Sequence, residues 1–420
     1  MLDINLIREQ PDKVKEGVQK KNVDPKIVDK FLRLDEQWRA KTAILDQLKT
    51  EQNLLSKELS HGQSEEALSK AQVLKNRITG VAAERSEVEG KRDEVHHQLP
   101  NLPLADVQVG KDESGNKVLR EVGEKPTFDF TPNDYLSLGE KLGIINVKKA
   151  SEVSGPRFGY LMGDAVLLEF ALVKLAFDTL IPEGFTPVIP PVLVKERTMR
   201  AMGYLDRHED RDEAYFFEKD GLYLVGTSEQ SLGPLHIGDV LEEAELPKRY
   251  VGFSSCFRRE AGSYGKDTKG ILRVHQFDKV EMFSFCSPEQ SRAEHAFLLS
   301  MEEKLMQALE IPYRVVEICT GDLGNVAAAK FDIEAWFAGE GVYRETHSTS
   351  NCTDFQARRL NVKYRPKEKG AKPRYLHTLN GTAFSQRPLL AIIENNQLAT
   401  GTIKVPKALQ GYVGKREIGV

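Results

Sequence analysis

Cysteine is scarce in this chain: four residues in 420, at positions 256, 286, 319 and 352. No two form a C-x-x-C pair and no histidine stands beside them at a ligand spacing, so neither a disulfide framework nor a zinc site is expected. They read as reduced, structural thiols. An excess of either charge is also missing. The 59 Lys and Arg against 63 Asp and Glu leave a formal net charge of -4, so any nucleic-acid contact must come from local patches that the total conceals. Long apolar runs are absent: AVLLEFALVKLAF is interrupted by Glu169 and Lys174, too short and too charged to span a bilayer. The start, MLDINLIREQPDKVKEG, carries charge in its first turn and lacks an apolar secretory core. The cytoplasm is the expected compartment, with no membrane partner. There is no nucleotide P-loop either, because GKDTKG (265–270) is followed by Ile271 and Leu272 where Lys and Ser/Thr would have to reach phosphate and metal. Repeats and low-complexity tracts are not found.

What is present is 40% hydrophobic content, enough at this length for a large core and two or three domains. The first hundred residues follow a 4,3 spacing: Ile27, Phe31, Leu34, Trp38, Leu45, Leu48, Leu55 and Leu59, with Lys41 and Gln52 as polar exceptions. A second seam runs Ala67, Ala71, Leu74, Ile78, Val81, Val88, Val95 and Leu99, interrupted by Arg85 and Arg92, with SHGQS (60–64) between the two. Heptad seams joined by a short loop predict two long antiparallel helices. On the heptads alone, an oligomerisation coiled coil is a better account than a nucleic-acid-binding arm.

After Pro100 the pattern changes. Turn-rich sequence gives way to short strand-like runs alternating with helical ones, which predicts an α+β domain with an antiparallel sheet. Within it, FRREAGSYGKDTKGILRVHQFDKVEMF (257–283) places a long basic, glycine-rich loop between two alternating runs. Period two puts Arg258 and Glu260 on one face, and Arg273, His275, Phe277, Lys279 and Glu281 on another. A flat aromatic flanked by opposite charges suits a base and its phosphates; a surface hairpin with cross-strand salt bridges fits the same residues.

The hairpin resembles motif 2 of class II aminoacyl-tRNA synthetases. The closest family is seryl-tRNA synthetase, of bacterial type. The resemblance extends over VSGPRFGYLMGDAVLLEFAL, TSEQ, CTGDLG, SNCTDFQARR and the segment from LNGT through Arg387 to AIIEN, and includes the helical hairpin. LHIGD (235–239) is similar to the HIGH signature of class I synthetases, but the KMSKS partner is missing. The resemblance implies an N-terminal antiparallel helical-hairpin domain over 1–105 that binds tRNA. A class II catalytic domain over 106–420 would carry an antiparallel sheet flanked by helices. It implies a homodimer built through the helix near 170–180 and GFTPVIPPVLV, whose prolines suit an edge strand.

The activity implied is ATP-dependent, AMP-forming attachment of L-serine to tRNA(Ser), with tRNA(Sec) left open as a second acceptor, and Mg2+ accompanying ATP. By resemblance, Arg258, Glu345 and Arg387 are catalytic. ATP is expected at Arg258, Arg259, Glu260, the platform Val274, His275, Gln276 and Phe277, then Glu345, Thr346, His347, Ser348 and Arg387. Glu345 and Ser348 would hold Mg2+ through hard oxygen ligands. Serine is expected at Thr227, Ser228, Glu229, Arg258, Glu281, Asn380 and Thr382. Two departures stand out. The family's EISSCSN reads ETHSTSN here (345–351), and the Asn380–Arg387 spacing is one residue short, leaving Thr382 and Ser385 as alternatives for the serine hydroxyl. A ligase loading a carrier protein and a non-catalytic tRNA-binding protein are the rival readings. The long arm speaks against the first, and Arg258, Glu260, Glu281, Glu345 and Arg387 against the second.

Overall fold

The computed structural model describes residues 1–61, 64–261 and 269–419. The middle of the helical-hairpin loop and most of the 261–270 loop lie outside them. The chain packs as two units, Met1–Leu102 and Pro103–Val420.

In the first unit, two short helices precede α1 (Lys26–His61) and α2 (Glu65–Gln98). At 1.5 Å per residue these span about 50 Å each. Along both, burial follows the heptad seam, with Phe31, Leu45, Leu48, Leu74, Val95 and Leu99 buried. The polar exceptions stay in phase with it. Lys41 pairs with Glu84 at 2.5 Å across the helices, and the Arg92 guanidinium lies 4.4 Å from the Trp38 ring centroid. Such side chains bury their stems and keep the charge paired. One buried charge beside the seam was not foreseen. Asp35 is fully buried and takes a two-pronged bond from Arg8 at 2.8 and 2.7 Å, with Arg39 at 3.1 Å and Arg92 at 3.9 Å. Burial pushes its carboxyl up, and these arginines outweigh that and hold it below the usual range.

The second unit is built on an eight-stranded sheet: β1 (Lys117–Val122), β2 (Phe185–Val188), β3 (Lys248–Phe257), β4 (Gln276–Cys286), β5 (Tyr313–Glu317), β6 (Ala329–Phe337), β7 (Val342–Asn351) and β8 (His377–Ser385). Their order is β1-β5-β6-β7-β8-β4-β3-β2. Every pairing is antiparallel except β2 with β3. Proline-bearing β2 is an edge strand, where a missing N–H costs no ladder bond. Helices α3 (Asp164–Leu180), α4 (Ser291–Ala308) and α5 (Gln386–Asn395) cover one face. Leu168, Leu172, Leu298, Leu305, Leu390 and Ile393 pack there on Val280, Met282, Ile333 and Phe384. On the other face Phe283 and Phe285 of β4 pack with Met202, Leu232 and Tyr250, and polar side chains gather on the remainder. All four cysteines are free and buried. Among the described residues no helix is long and apolar enough to cross a membrane.

Two bulges decide which residues face which way. Between β6 and β7, Ile333 pairs with His347 and Glu334 with Glu345, so Thr346 is the extra residue. Between β4 and β8, Val280 pairs with Phe384 and Glu281 with Thr382, leaving Ala383 extra. An inserted residue flips the alternation beyond it. Glu345 therefore joins Ser348 on the polar face while His347 turns into the core. On β8 the polar face passes from Thr382 to Ser385 instead of Phe384.

Candidate active site

A cavity of about 660 Å³ opens on the polar face. β4 supplies Phe277, Lys279 and Glu281, β8 supplies Asn380, Thr382 and Ser385, and β7 supplies Glu345 and Ser348. Arg258 stands just past β3, and Arg387 sits in the first turn of α5.

At one end the chemistry is carboxylate. Glu281 is buried, with Lys279 Nζ in ion-pair contact with its Oε2. The same ammonium donates to Thr227 Oγ1 at 3.2 Å, and Thr227 Oγ1 donates to Glu281 Oε2 at 3.4 Å. Burial raises the Glu281 carboxyl and the Lys279 ammonium works against that rise. Glu229, also buried, accepts from Tyr204 OH at 2.7 Å and from Gln356 Nε2 at 2.7 Å, and Thr378 Oγ1 donates to Gln356 at 2.7 Å. Burial and then the charge of Glu281 raise Glu229, which the Gln356 and Tyr204 bonds partly offset.

In the middle, the Arg258 guanidinium carbon lies 5.2 Å from the Phe277 ring centroid, and its Nε donates to the Gly226 carbonyl at 3.1 Å. The other end is mixed in charge. Arg387 Nη1 is 3.4 Å from Glu345 Oε2, and Lys330 Nζ is 3.2 Å from Asp332 Oδ2. Packing against the cavity wall pushes the Glu345 carboxyl up, but Arg387, Lys330, Arg258 and Lys279 overcome this and hold it at about 2. Its side chain is 48% exposed, so the carboxylate is open to the cavity.

Of the residues singled out from sequence, Thr227, Glu229, Arg258, Glu260, Val274, Phe277, Glu281, Glu345, Thr346, Ser348, Asn380, Thr382 and Arg387 line this one cavity, and so does Ser385. Ser228, Arg259, His275, Gln276 and His347 do not. Ser228 Oγ is bonded to Ser254 Oγ at 2.8 Å. His275 packs at a tilt against Phe158, ring centroids 5.2 Å apart, and its Nδ1 contacts the Arg258 carbonyl at 2.9 Å. His347 lies among Leu172, Leu305 and Phe384 on the core side, where burial lowers its pKa to about 4. The strand also starts later than alternation suggests: Arg273 and His275 precede β4, because Tyr135 OH accepts the Ile271 and Leu272 amides at 3.0 and 3.2 Å and draws that segment inward. Tyr204, Lys330 and Asp332 escaped the sequence reading, since they reach the site from segments with no local motif, and Gln356 stands in SNCTDFQARR without having been given a role. Lys279 was on the expected face, without a role.

The sheet, its three covering helices and a polar floor bearing the motif 2 hairpin define a class II aminoacyl-tRNA synthetase core. Residues 215–396 match the family model described as tRNA synthetase class II core domain (G, H, P, S and T), and residues 1–103 match the Seryl-tRNA synthetase N-terminal domain. The serine–tRNA ligase of Nocardia farcinica is 46% identical over 99% of this chain and 98% of its own length, and that of Acidothermus cellulolyticus 47% identical over 99% and 98%. A crystal structure of seryl-tRNA synthetase from Pyrococcus horikoshii complexed with ATP superposes with a TM-score of 0.92 at 43% identity, covering 100% of this chain and 99% of that one. The chain belongs to the seryl-tRNA synthetase family, and it is an enzyme of the ligase type.

Proposed function

We propose that this enzyme activates L-serine with ATP to seryl-adenylate and pyrophosphate, then passes the seryl group to the 3' end of tRNA(Ser) with release of AMP. The observation that carries this reading is the single cavity with a carboxylate end, an arginine-backed aromatic in the middle and an arginine–carboxylate pair at the far end. Serine's ammonium pairs with Glu281 and the Thr227 hydroxyl, its carboxylate with Arg258, and its hydroxyl with Asn380 or Thr382. The base stacks on Phe277, Glu260 meets its edge, and Arg387 takes the γ-phosphate beside the free N–H groups of α5. The serine carboxylate oxygen attacks the α-phosphorus as the bond to the bridging oxygen breaks, so no protein nucleophile is needed. The chain contributes alignment and charge.

Mg2+ fits the donor set at the far end. Among the described residues no cluster of three or more His, Cys, Asp or Glu assembles. Mg2+ characteristically takes one or two carboxylates plus substrate phosphates and water, and Glu345 and Ser348 are hard oxygen donors of that kind. Asp332, paired with Ser348 in register across β6 and β7, has a buried Oδ1 with no bond. When bound, the cation neutralises phosphate charge.

The catalytic unit is read as a homodimer in the cytoplasm. Phe170 of α3 is 61% and Ile189 beyond β2 is 85% exposed, apolar residues beside an open sheet edge that suit a second copy. The hairpin unit, taken as the tRNA-binding domain over 1–105, carries Lys49, Lys57, Lys70, Lys75 and Arg77 exposed towards its tip, suited to a phosphate backbone. The 106–420 domain then holds all the chemistry. Serine-dependent ATP–pyrophosphate exchange tests the first step, and charging of tRNA(Ser) and tRNA(Sec) transcripts tests the second. Absence of serine-dependent exchange overturns the reading.

A further inference from the structure

We infer that Lys279 is a positioning residue of the amino-acid subsite: its ammonium, seated between Glu281 Oε2 and Thr227 Oγ1, keeps Glu281 an oriented carboxylate whose second oxygen is presented to the ammonium of the substrate. This rests on the assignment of Glu281 to serine.

The geometry is specific. Lys279 and Glu281 are two apart on β4 and so share a face. The Lys279 side chain is 13% exposed and that of Glu281 2%. Both bonds that Glu281 makes among the described residues, to Lys279 and to Thr227, use Oε2. Oε1 takes none among the described residues, and the side chain lines the cavity. A carboxyl this deep is charged only if a cation sits against it.

The surrounding groups sharpen the need. Arg258 and Lys279 are the cations acting on Glu281. Against them stand the Glu229 carboxyl and the fully buried Glu302 of α4, whose Oε1 lies beneath Gly381 of β8 and whose carboxyl faces the Thr382 amide. Tyr204 and Cys256 also feel the Glu281 charge, and each is held protonated by burial. Burial and then the Glu281 charge push the Glu302 carboxyl well up. Without Lys279, Glu281 would take a proton and lose its attraction for an ammonium.

The test uses the full-length enzyme with Lys279→Met, Lys279→Arg and Glu281→Gln, each checked for folding by circular dichroism. Serine-dependent pyrophosphate exchange is followed from pH 6.5 to 8.5. The wild type should give a flat kcat/KM for serine. Lys279→Met should lose about tenfold at pH 6.5, with recovery as pH rises and Glu281 ionises, and a smaller change in the KM for ATP. Lys279→Arg should restore the flat profile. A uniform loss in Lys279→Met at every pH, or an unchanged enzyme, overturns the proposal while leaving the subsite intact. If Glu281→Gln binds serine normally, the subsite assignment fails and takes the proposal with it.

Discussion

Arg387 Nη1 donates to the backbone carbonyl of Glu345 at 2.7 Å and faces that residue's carboxylate at 3.4 Å. A guanidinium fixed through a main-chain bond keeps its direction even when the carboxylate turns to another cation. Under the proposed function, that arrangement lets two groups of opposite charge share one polyphosphate without neutralising each other.

Arg387→Ala and Glu345→Gln should each therefore reduce adenylate formation by about 100-fold, as expected for loss of a charge contact made in the transition state. Pyrophosphate exchange under saturating serine measures it. Rates near wild type in both variants would remove these residues from the triphosphate site.

Thr382 pairs directly with Glu281 across β4 and β8, whereas Ser385 Oγ donates to the Thr346 carbonyl at 3.1 Å, towards the Arg387–Glu345 end. Thr382→Ala should raise the KM for serine by about tenfold, the scale of one buried hydrogen bond, and leave that for ATP nearly unchanged. Ser385→Ala should barely move the serine KM. The reverse order would hand the hydroxyl-reading role to Ser385.

Replacing Lys49, Lys57, Lys70, Lys75 and Arg77 together with glutamine should leave serine-dependent exchange intact and raise the KM for tRNA. The dependence of charging on salt should become shallower, because fewer phosphate contacts release counterions. Equal charging at all salt concentrations would show that the hairpin tip does not touch tRNA.

His295 of α4 is buried, with Nε2 3.1 Å from the Thr349 carbonyl, and burial lowers its pKa to about 4. The unfolded chain would bind that proton near pH 6.5, so the neutral ring's contribution is complete above this value and is lost as pH falls towards 4. Between pH 7 and 5 the wild type should lose about 2 kcal/mol more than His295→Gln, as read from denaturant midpoints. Parallel losses in the two proteins would show that His295 is not the group responsible.

The arm was legible because a heptad phase survives polar substitutions: Lys41, Gln52, Arg85 and Arg92 all fall on the seam that their apolar neighbours mark. Asp35 was not, since Arg8 stands 27 residues away and no local spacing links them. In the catalytic unit, motif 2 and the Arg387–Pro388 helix start announced which strands carry the polar floor. The direction of individual side chains was less accessible. Simple alternation puts Glu345 and His347 together, and only the bulge at Thr346, a matter of how β7 meets β6, separates them. Tyr204 and Gln356 meet at Glu229 from segments more than 150 residues apart, a convergence that belongs to tertiary packing.

The bulge at Ala383 spares β4 itself, where Phe277, Lys279 and Glu281 follow one another at regular strand spacing and are hydrogen-bonded to β3 throughout. The proposed nucleotide platform and the proposed amino-acid reader thus sit on one inextensible ruler, about 13 Å from Phe277 to Glu281. Neither recognition point can move without the other. A lineage changing its amino acid on this frame has point replacements in the floor at its disposal, whereas a one-residue insertion in β4 would turn the ruler over and bury its polar face in the core.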